Sequence, residues 1–356
     1  MIFMYKKSTP ISNGFTVEIV LWIAFAISSF FIGYVIITNK SHLISAIIPL
    51  IENLILIIFI CFISKYDGNI DYMVKIFIIL AFLCAITTIF WGEGFQGSNR
   101  ISMTSTTNPN GLGVLLVTGI FCLLYKMDID KKINIIFTSS GALIFLYTII
   151  LTGSRKSFLA ASLLLVYWVL LCLRGTLKKA TFSRKTGVII LVSVAAISFI
   201  YYITPVFEES VMLYRLTNLF ESGDTIRTGM YTEAYDFFIS SPLYGIGYKN
   251  YELLSVYRTY SHSTYAEALA CTGLLGVFLY FSAYIIMAVK TIRVIINKHL
   301  SHNVRIQARN ILGIFLVMLF LGTGVIHFYE INSSIVFAMI ISFNKLYYKS
   351  RKLVLF

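Results

Sequence analysis

Charge is what this sequence has least of. Only 13% of its 356 residues are Asp, Glu, Lys or Arg, against about 25% in an ordinary soluble domain. Cysteine is down to five residues (Cys61, Cys84, Cys122, Cys172, Cys271), all inside or at the edge of apolar runs with no CxxC pair. That pattern excludes a disulfide framework and reads as small core hydrophobes. No grouping of His, Cys, Asp and Glu has zinc-ligand spacing. Alternating apolar and polar blocks are missing as well, which excludes a membrane β-barrel. No strand–turn–helix unit is present either, so G-x-G-x-x-G at Gly92, Gly94 and Gly97, which follows an apolar run, is not a dinucleotide fingerprint. The DID at 128–130 looks like the DxD of nucleotide-sugar enzymes, but it sits in a short turn with no nucleotide-binding domain around it.

Hydrophobic sequence, by contrast, is abundant: 58% of the residues are apolar or aromatic, and the mean hydropathy is +0.83. Runs of roughly 18 to 25 apolar residues recur from end to end, the signature of transmembrane helices. The expected fold is all-α and polytopic, with about ten spans. They fall near residues 15–38, 43–64, 72–91, 108–125, 133–152, 157–173, 186–204, 264–289, 310–326 and 332–346. The first run is too long for a signal-peptide core and lacks a small-residue cleavage pattern, so it is expected to remain as a span. Two start signals support the placement. Asn108-Pro109 is an N-cap followed by proline at the first helical position. Thr264-Tyr-Ala-Glu267 matches the capping box. One large loop, 205–263, separates spans seven and eight; loops that long are usually functional. Within it, 226–240 has helical spacing, with Ile226, Met230, Ala234 and Phe237/Phe238 as the apolar stripe. SPLYGIGY, 241–248, is a Gly/Pro-rich turn.

Threading ten spans from a cytoplasmic N-terminus gives every loop a side. Of the 29 basic residues, 21 then fall on the cytoplasmic side. Lys40, Arg100, Arg155, Lys156, Arg215, Arg227, Lys249 and Arg258 remain outside. This is the positive-inside pattern, so the net charge of +13 is a topology signal rather than a nucleic-acid footprint. The expected arrangement has both termini cytoplasmic and the 205–263 loop on the outer face. His42, at a span edge, and His299 and His302, in a basic cytoplasmic loop, read as surface residues.

Polar residues on the outer face are then few enough to name. Arg155 lies in LTGSRKSFLA (151–160), a tight junction between two apolar runs. Arg227 and His262 lie in the large loop, and His327 and Glu330 lie between the last two spans. By position alone Arg155 is equally a headgroup anchor, and Arg227 and His262 are equally surface residues.

Several motifs then resemble, in order, those of the O-antigen ligase/polymerase superfamily (Wzy/WaaL-like). They are NPNGLG at 108–113, TGSR at 152–155, IRTGMY opening the loop helix, PLYGIGYKNY at 242–251 and SHSTYAEALACTGLLG at 261–276. The resemblance covers roughly residues 105–290. Ser263 stands where the family usually has asparagine, and Cys271-Thr272 replaces its usual acidic residue. The resemblance implies a multi-span glycan-assembly enzyme using undecaprenyl-pyrophosphate-linked oligosaccharide as donor and acceptor, with no metal or cofactor. It carries catalysis to Arg155, Arg227 and His262. Arg155, Arg227, Tyr231, Arg258, Glu267, His327 and Glu330 are assigned to substrate binding. Arginine suits phosphate because its planar fork donates two hydrogen bonds at once. An imidazole, with an ordinary pKa of about 6.5, takes a proton at neutral pH. The implied activity is polymerisation of repeat units into O-antigen or capsular polysaccharide. The expected partners are membrane lipid, a chain-length regulator and a flippase, and no nucleic acid. Transfer of finished glycan to lipid A-core is the neighbouring reading, and a lipid-linked-oligosaccharide flippase is the reading from another class.

Overall fold

In a computed structural model, residues 15–37, 40–64, 69–97, 99–126, 132–179 and 223–348 are described. They form α1 (Val17–Ile36), α2 (Lys40–Ile63), α3 (Asn69–Trp91), α4 (Pro109–Lys126), α5 (Lys132–Thr152), α6 (Arg155–Lys179), α7 (Gly223–Ser240), α8 (Tyr251–Leu254), α9 (Thr264–Ile296), α10 (His302–Leu321) and α11 (Ile331–Tyr348). The fold is an all-α polytopic membrane architecture. Seven of these helices (α1 to α5, α9 and α10) are long and apolar enough to cross a membrane. The expected spans 157–173 and 332–346 coincide with α6 and α11. The expected span 186–204, the first part of the large loop (205–222) and the DID turn lie outside the described residues. The stretch around the G-x-G-x-x-G pattern forms a two-residue antiparallel pairing, β1 (Glu93–Gly94) with β2 (Ile101–Ser102), capping α3. The chain divides into two compact units, residues 1–73 with 224–356, and residues 74–223.

In the first unit α1 packs on α9 and α2, and α11 packs on α2 and α9. The buried residues of α1 (Trp22, Phe25, Ala26, Ser29, Gly33) recur at three and four, which is one stripe of a 3.6-residue helix. Near the start of α1, Glu18 is fully buried and bonds the Lys290 ammonium of α9 at 2.8 Å.

The 33 residues of α9 are interrupted at Gly273, whose φ of 59° is left-handed. An unbroken helix would bond Leu274 N–H to the Ala270 carbonyl and Leu275 N–H to that of Cys271. Here the turn 242–247 takes all four positions. Ile246 and Gly247 donate to Ala270 O (2.9 Å) and Cys271 O (3.0 Å). Leu274 and Leu275 donate to Pro242 O (2.8 Å) and Leu243 O (3.1 Å). The interlock leaves no room for a side chain on either partner. A Cβ on Gly273 would lie 2.6 Å from the Leu243 carbonyl, and one on Gly245 would lie 2.5 Å from Thr272 N. The PLYGIGY and ACTGLLG motifs are therefore the two halves of one joint.

In the second unit α4 is central and mostly buried, flanked by α5 and α6. It starts at Pro109 as its sequence requires, with Asn108 Oδ1 accepting from Asn110 N–H at 2.9 Å.

Candidate active site

Within the first unit, Arg227 and His262 come from two segments fastened to each other and to a common turn. Arg227 sits half-buried on α7. The expected stripe of that helix holds at Met230 and Ala234, both buried, and at half-buried Phe237 and Phe238. Ile226 departs from it: at 53% exposed it stands off the packed face. One turn after Arg227, the Tyr231 hydroxyl donates to Thr323 O at 3.1 Å. The neighbouring carbonyl, Gly322 O, accepts from Thr264 N–H at 2.8 Å, two residues after His262. The turn between α10 and α11 thus ties the Arg227 helix to the His262 segment.

A second tie runs through Glu233. Its carboxylate accepts from Val256 N–H (2.9 Å) and the Ser255 hydroxyl, and lies 3.0 Å from the Tyr251 hydroxyl. That hydroxyl is also 2.8 Å from Met230 O. The 251–256 segment is therefore pinned along α7, and Tyr257 crosses Gly229 so closely that a Cβ there would be 2.0 Å from its hydroxyl oxygen. Arg258, at φ 51°, donates to Leu253 O at 2.6 Å and is otherwise exposed.

His262 adopts φ 58°, a left-handed conformation that histidine tolerates better than most side chains. Its neighbours Ser261 and Ser263 are buried while His262 itself is half-exposed, with the Tyr260 ring 4.3 Å away. The helix start two residues on differs from the capping box expected at Thr264 and Glu267. The cap is Ser263, whose hydroxyl accepts from Ala266 N–H. Thr264 already lies inside the helix, and its hydroxyl is committed to Val325 O (2.6 Å) and His327 N–H (3.0 Å). Glu267 reaches back past the cap instead, accepting from Ser261 N–H (2.8 Å) and from the Tyr329 hydroxyl (3.0 Å).

Glu267, expected at the substrate, has no exposed surface; what it holds is the loop on which His262 stands. His327, also expected there, is 2% exposed, with Nδ1 bonded to the Tyr284 hydroxyl at 2.9 Å. Burial pushes its imidazole down to about 3, so it is neutral at physiological pH. Burial likewise raises the Glu330 carboxyl above its usual range. Tyr231 is half-buried on α7, and Arg258 is exposed two residues beyond the segment pinned along that helix.

The second unit positions Arg155. The junction before it is shorter than its sequence suggests: Gly153 (φ 62°) and Ser154 alone separate α5 from α6, and Arg155 is the first helical residue. Arg100 braces this corner, donating from Nε to Thr152 O (3.0 Å) and from its terminal nitrogen to Asn110 Oδ1 (2.7 Å). Ser154 and Ser157 are hydroxyl-bonded at 2.9 Å. Gly113 packs against both, since a Cβ there would meet the Ser157 oxygen at 2.5 Å. NPNGLG and TGSR are therefore joined in space, through an arginine that no sequence motif had marked.

Glu233 and Tyr329 were not singled out in the sequence, Arg100 was named only as an outer-face cation and Tyr251 only as the last residue of a motif. Their partners are distant in the chain: 18 residues separate Glu233 from Tyr251, and 62 separate Tyr329 from Glu267. No metal-competent group of three His, Cys, Asp or Glu side chains occurs among the described residues.

No curated protein matches the chain. Residues 140–281 match a family model described as O-antigen ligase, a stretch that contains Arg155, Arg227, His262 and both halves of the α9 joint. That match covers less than half of the chain; over that stretch the protein is similar to the O-antigen ligase/polymerase superfamily that its motifs resemble.

Proposed function

We propose that the protein is a membrane glycosyltransferase that polymerises undecaprenyl-pyrophosphate-linked oligosaccharide repeat units into O-antigen or capsular polysaccharide. The reaction takes place on the outer face of the bacterial cytoplasmic membrane. The observation that supports this most is the double fastening of Arg227 and His262. An arginine, a side chain suited to phosphate, and a half-exposed imidazole stand on segments that are hydrogen-bonded to each other and to one turn, as positioned transfer from a phosphate leaving group would need.

In this reading Arg227 and Arg155 bind the pyrophosphate and neutralise the charge that develops on it. The acceptor hydroxyl attacks the anomeric carbon, His262 takes its proton, and the bond to the pyrophosphate oxygen breaks. A single displacement of this kind inverts the anomeric configuration. Tyr231, Arg258 and Glu330 contact sugar or phosphate, whereas Glu267 and His327, being buried, act by holding the His262 loop. Undecaprenyl lipid, a flippase and a chain-length regulator are the partners of such an enzyme.

Transfer of completed glycan to lipid A-core is the second reading, favoured by the description of the matching family. Deletion followed by complementation separates the two, with surface polysaccharide read by gel. Loss of a polymerase leaves a single repeat unit on the acceptor. Loss of a ligase leaves none and accumulates lipid-linked polymer. An unchanged polysaccharide profile would refute both.

A further inference from the structure

The turn 241–248 belongs to no helix long enough to cross a membrane, yet its contacts lie along the length of helices that are. Gly247 abuts the residue that ends α1: a Cβ on it would be 2.8 Å from Ile37 Cγ1. Tyr244 reaches further along that helix. With Ser28, Ser29 and Ile32 of α1 and Thr272 and Gly276 of α9, it lines a small cleft. At a rise of 1.5 Å per residue, Ile32 and Ser28 lie about 7 and 13 Å inside the end of α1.

The other wall gives the same depth. Residues 242 and 243 bond Leu274 and Leu275, ten and eleven residues into a helix of 33, where about 20 suffice to cross the bilayer.

At that depth Leu243 is 59% and Tyr244 50% exposed. Beside them Leu274 and Leu275 are exposed, and Phe278 is 67% exposed one turn further along α9. Irregular backbone is tolerated at membrane depth only where its polar groups find partners in protein. Here the broken helix supplies partners for the Pro242 and Leu243 carbonyls and for the Ile246 and Gly247 N–H groups, and Gly245 N–H bonds Ser241 O.

We infer that residues 242–244 form a re-entrant turn inserted into one bilayer leaflet, with Leu243 and Tyr244 in contact with lipid. The leaflet is the one at the end of the bundle where α1 finishes and α9 begins, which the Lys/Arg distribution makes the outer one. Lipid is the occupant because the surface continues without interruption into the membrane-facing side of α9, and the backbone bonds fix that continuity. The turn sets the height of α7 and α8 over the membrane, and hence of Arg227. The inference does not depend on which reaction is catalysed.

The test is nitroxide labelling of Leu243→Cys and Tyr244→Cys in full-length protein reconstituted into phosphatidylcholine vesicles, with the unmutated protein as background. Power saturation compares collision with oxygen, which concentrates in hydrocarbon, and with a water-soluble nickel chelate. Phe278→Cys on the membrane-facing side of α9 and His299→Cys in the turn after α9 are the references. The expected result is that both turn positions behave like 278, with relaxation by oxygen several-fold above relaxation by nickel. If both behave like 299, the turn stands in water and the inference is overturned. Because no activity is read, either outcome leaves the glycosyl-transfer reading to its own experiment.

Discussion

His262 and Arg227 carry the chemistry proposed for this protein, and each is held by groups that do none of it. A positioned general base contributes about 10²- to 10⁴-fold, so His262→Ala is expected to abolish detectable polymer while the protein still inserts. Normal chain length from that variant, read on a polysaccharide gel, would sink the base assignment. Arg227→Ala should behave the same way. Arg155→Lys keeps the charge but loses the planar fork, so it should impair synthesis if Arg155 grips pyrophosphate and be tolerated if it only anchors to headgroups. Glu233 poses a different question. Its carboxylate collects bonds from Val256 and Ser255 and adjoins Tyr251, and hydrogen bonds to a charged group are worth about 1.5–3 kcal/mol. Glu233→Ala should therefore lower the unfolding temperature in detergent as well as product yield. His262→Ala should lower yield alone. Equal unfolding temperatures for the two variants would contradict the bracing role. Sequence alone gives Glu233 no distinction, because an acid on the helix of an exterior loop looks solvated. Its partners, 18 to 23 residues away in the chain, become visible only once the arm has folded back.

At the scale of elements, what was legible followed the range of the forces involved. The start of α4 at Pro109 was readable because capping is settled within three residues. The apolar runs were readable because length and hydropathy are properties of a segment by itself. PLYGIGY was readable as a turn but not as the plug of a broken helix, since its counterpart lies some thirty residues on and a lone glycine at 273 gives no register. The start of α9 misled for a related reason. Ser263 and Thr264 are both competent caps, and the choice was made by Val325 and His327, which bond the Thr264 hydroxyl from far along the chain. The joint makes a sharp contrast between glycines. Gly273→Ala must hold a left-handed φ and drive its methyl into the Leu243 backbone, costing upwards of about 1–2 kcal/mol from the backbone conformation alone. At Gly33→Ala the clash is with the Cδ1 of Leu43, the far end of a flexible side chain. The helix there gains back up to about 1 kcal/mol of propensity. Thermal unfolding in detergent should thus fall by several degrees for Gly273→Ala and stay near the unmutated value for Gly33→Ala. Similar losses in the two would show that the interlock is not rigid.

For the molecule as a whole, the buried His327 makes stability depend on pH in a defined direction. Its imidazole is held near 3 in the folded protein by burial, against about 6.5 when exposed in the unfolded chain. Between those values the unfolded state binds more protons, so stability is complete above about 6.5 and falls as pH drops through the window toward 3. Lowering the pH from 7.5 to 5 should cost about 2 kcal/mol from this residue. Glu330 works the other way: burial raises its carboxyl, so protonation favours the folded form at and above the ordinary carboxylate range. The two effects overlap, and a pH titration of the unmutated protein alone cannot assign the slope. His327→Asn separates them. An amide can still meet the Tyr284 hydroxyl from the position of Nδ1, but it has no proton to gain in this range. The variant should unfold at a lower temperature than the unmutated protein at pH 7.5, because it leaves space where the ring was. Its loss between pH 7.5 and 5 should be smaller by about 2 kcal/mol. Parallel curves for the two proteins would mean that His327 is hydrated in the fold, and that the turn between α10 and α11, which also receives Tyr231 and Thr264, is open to water.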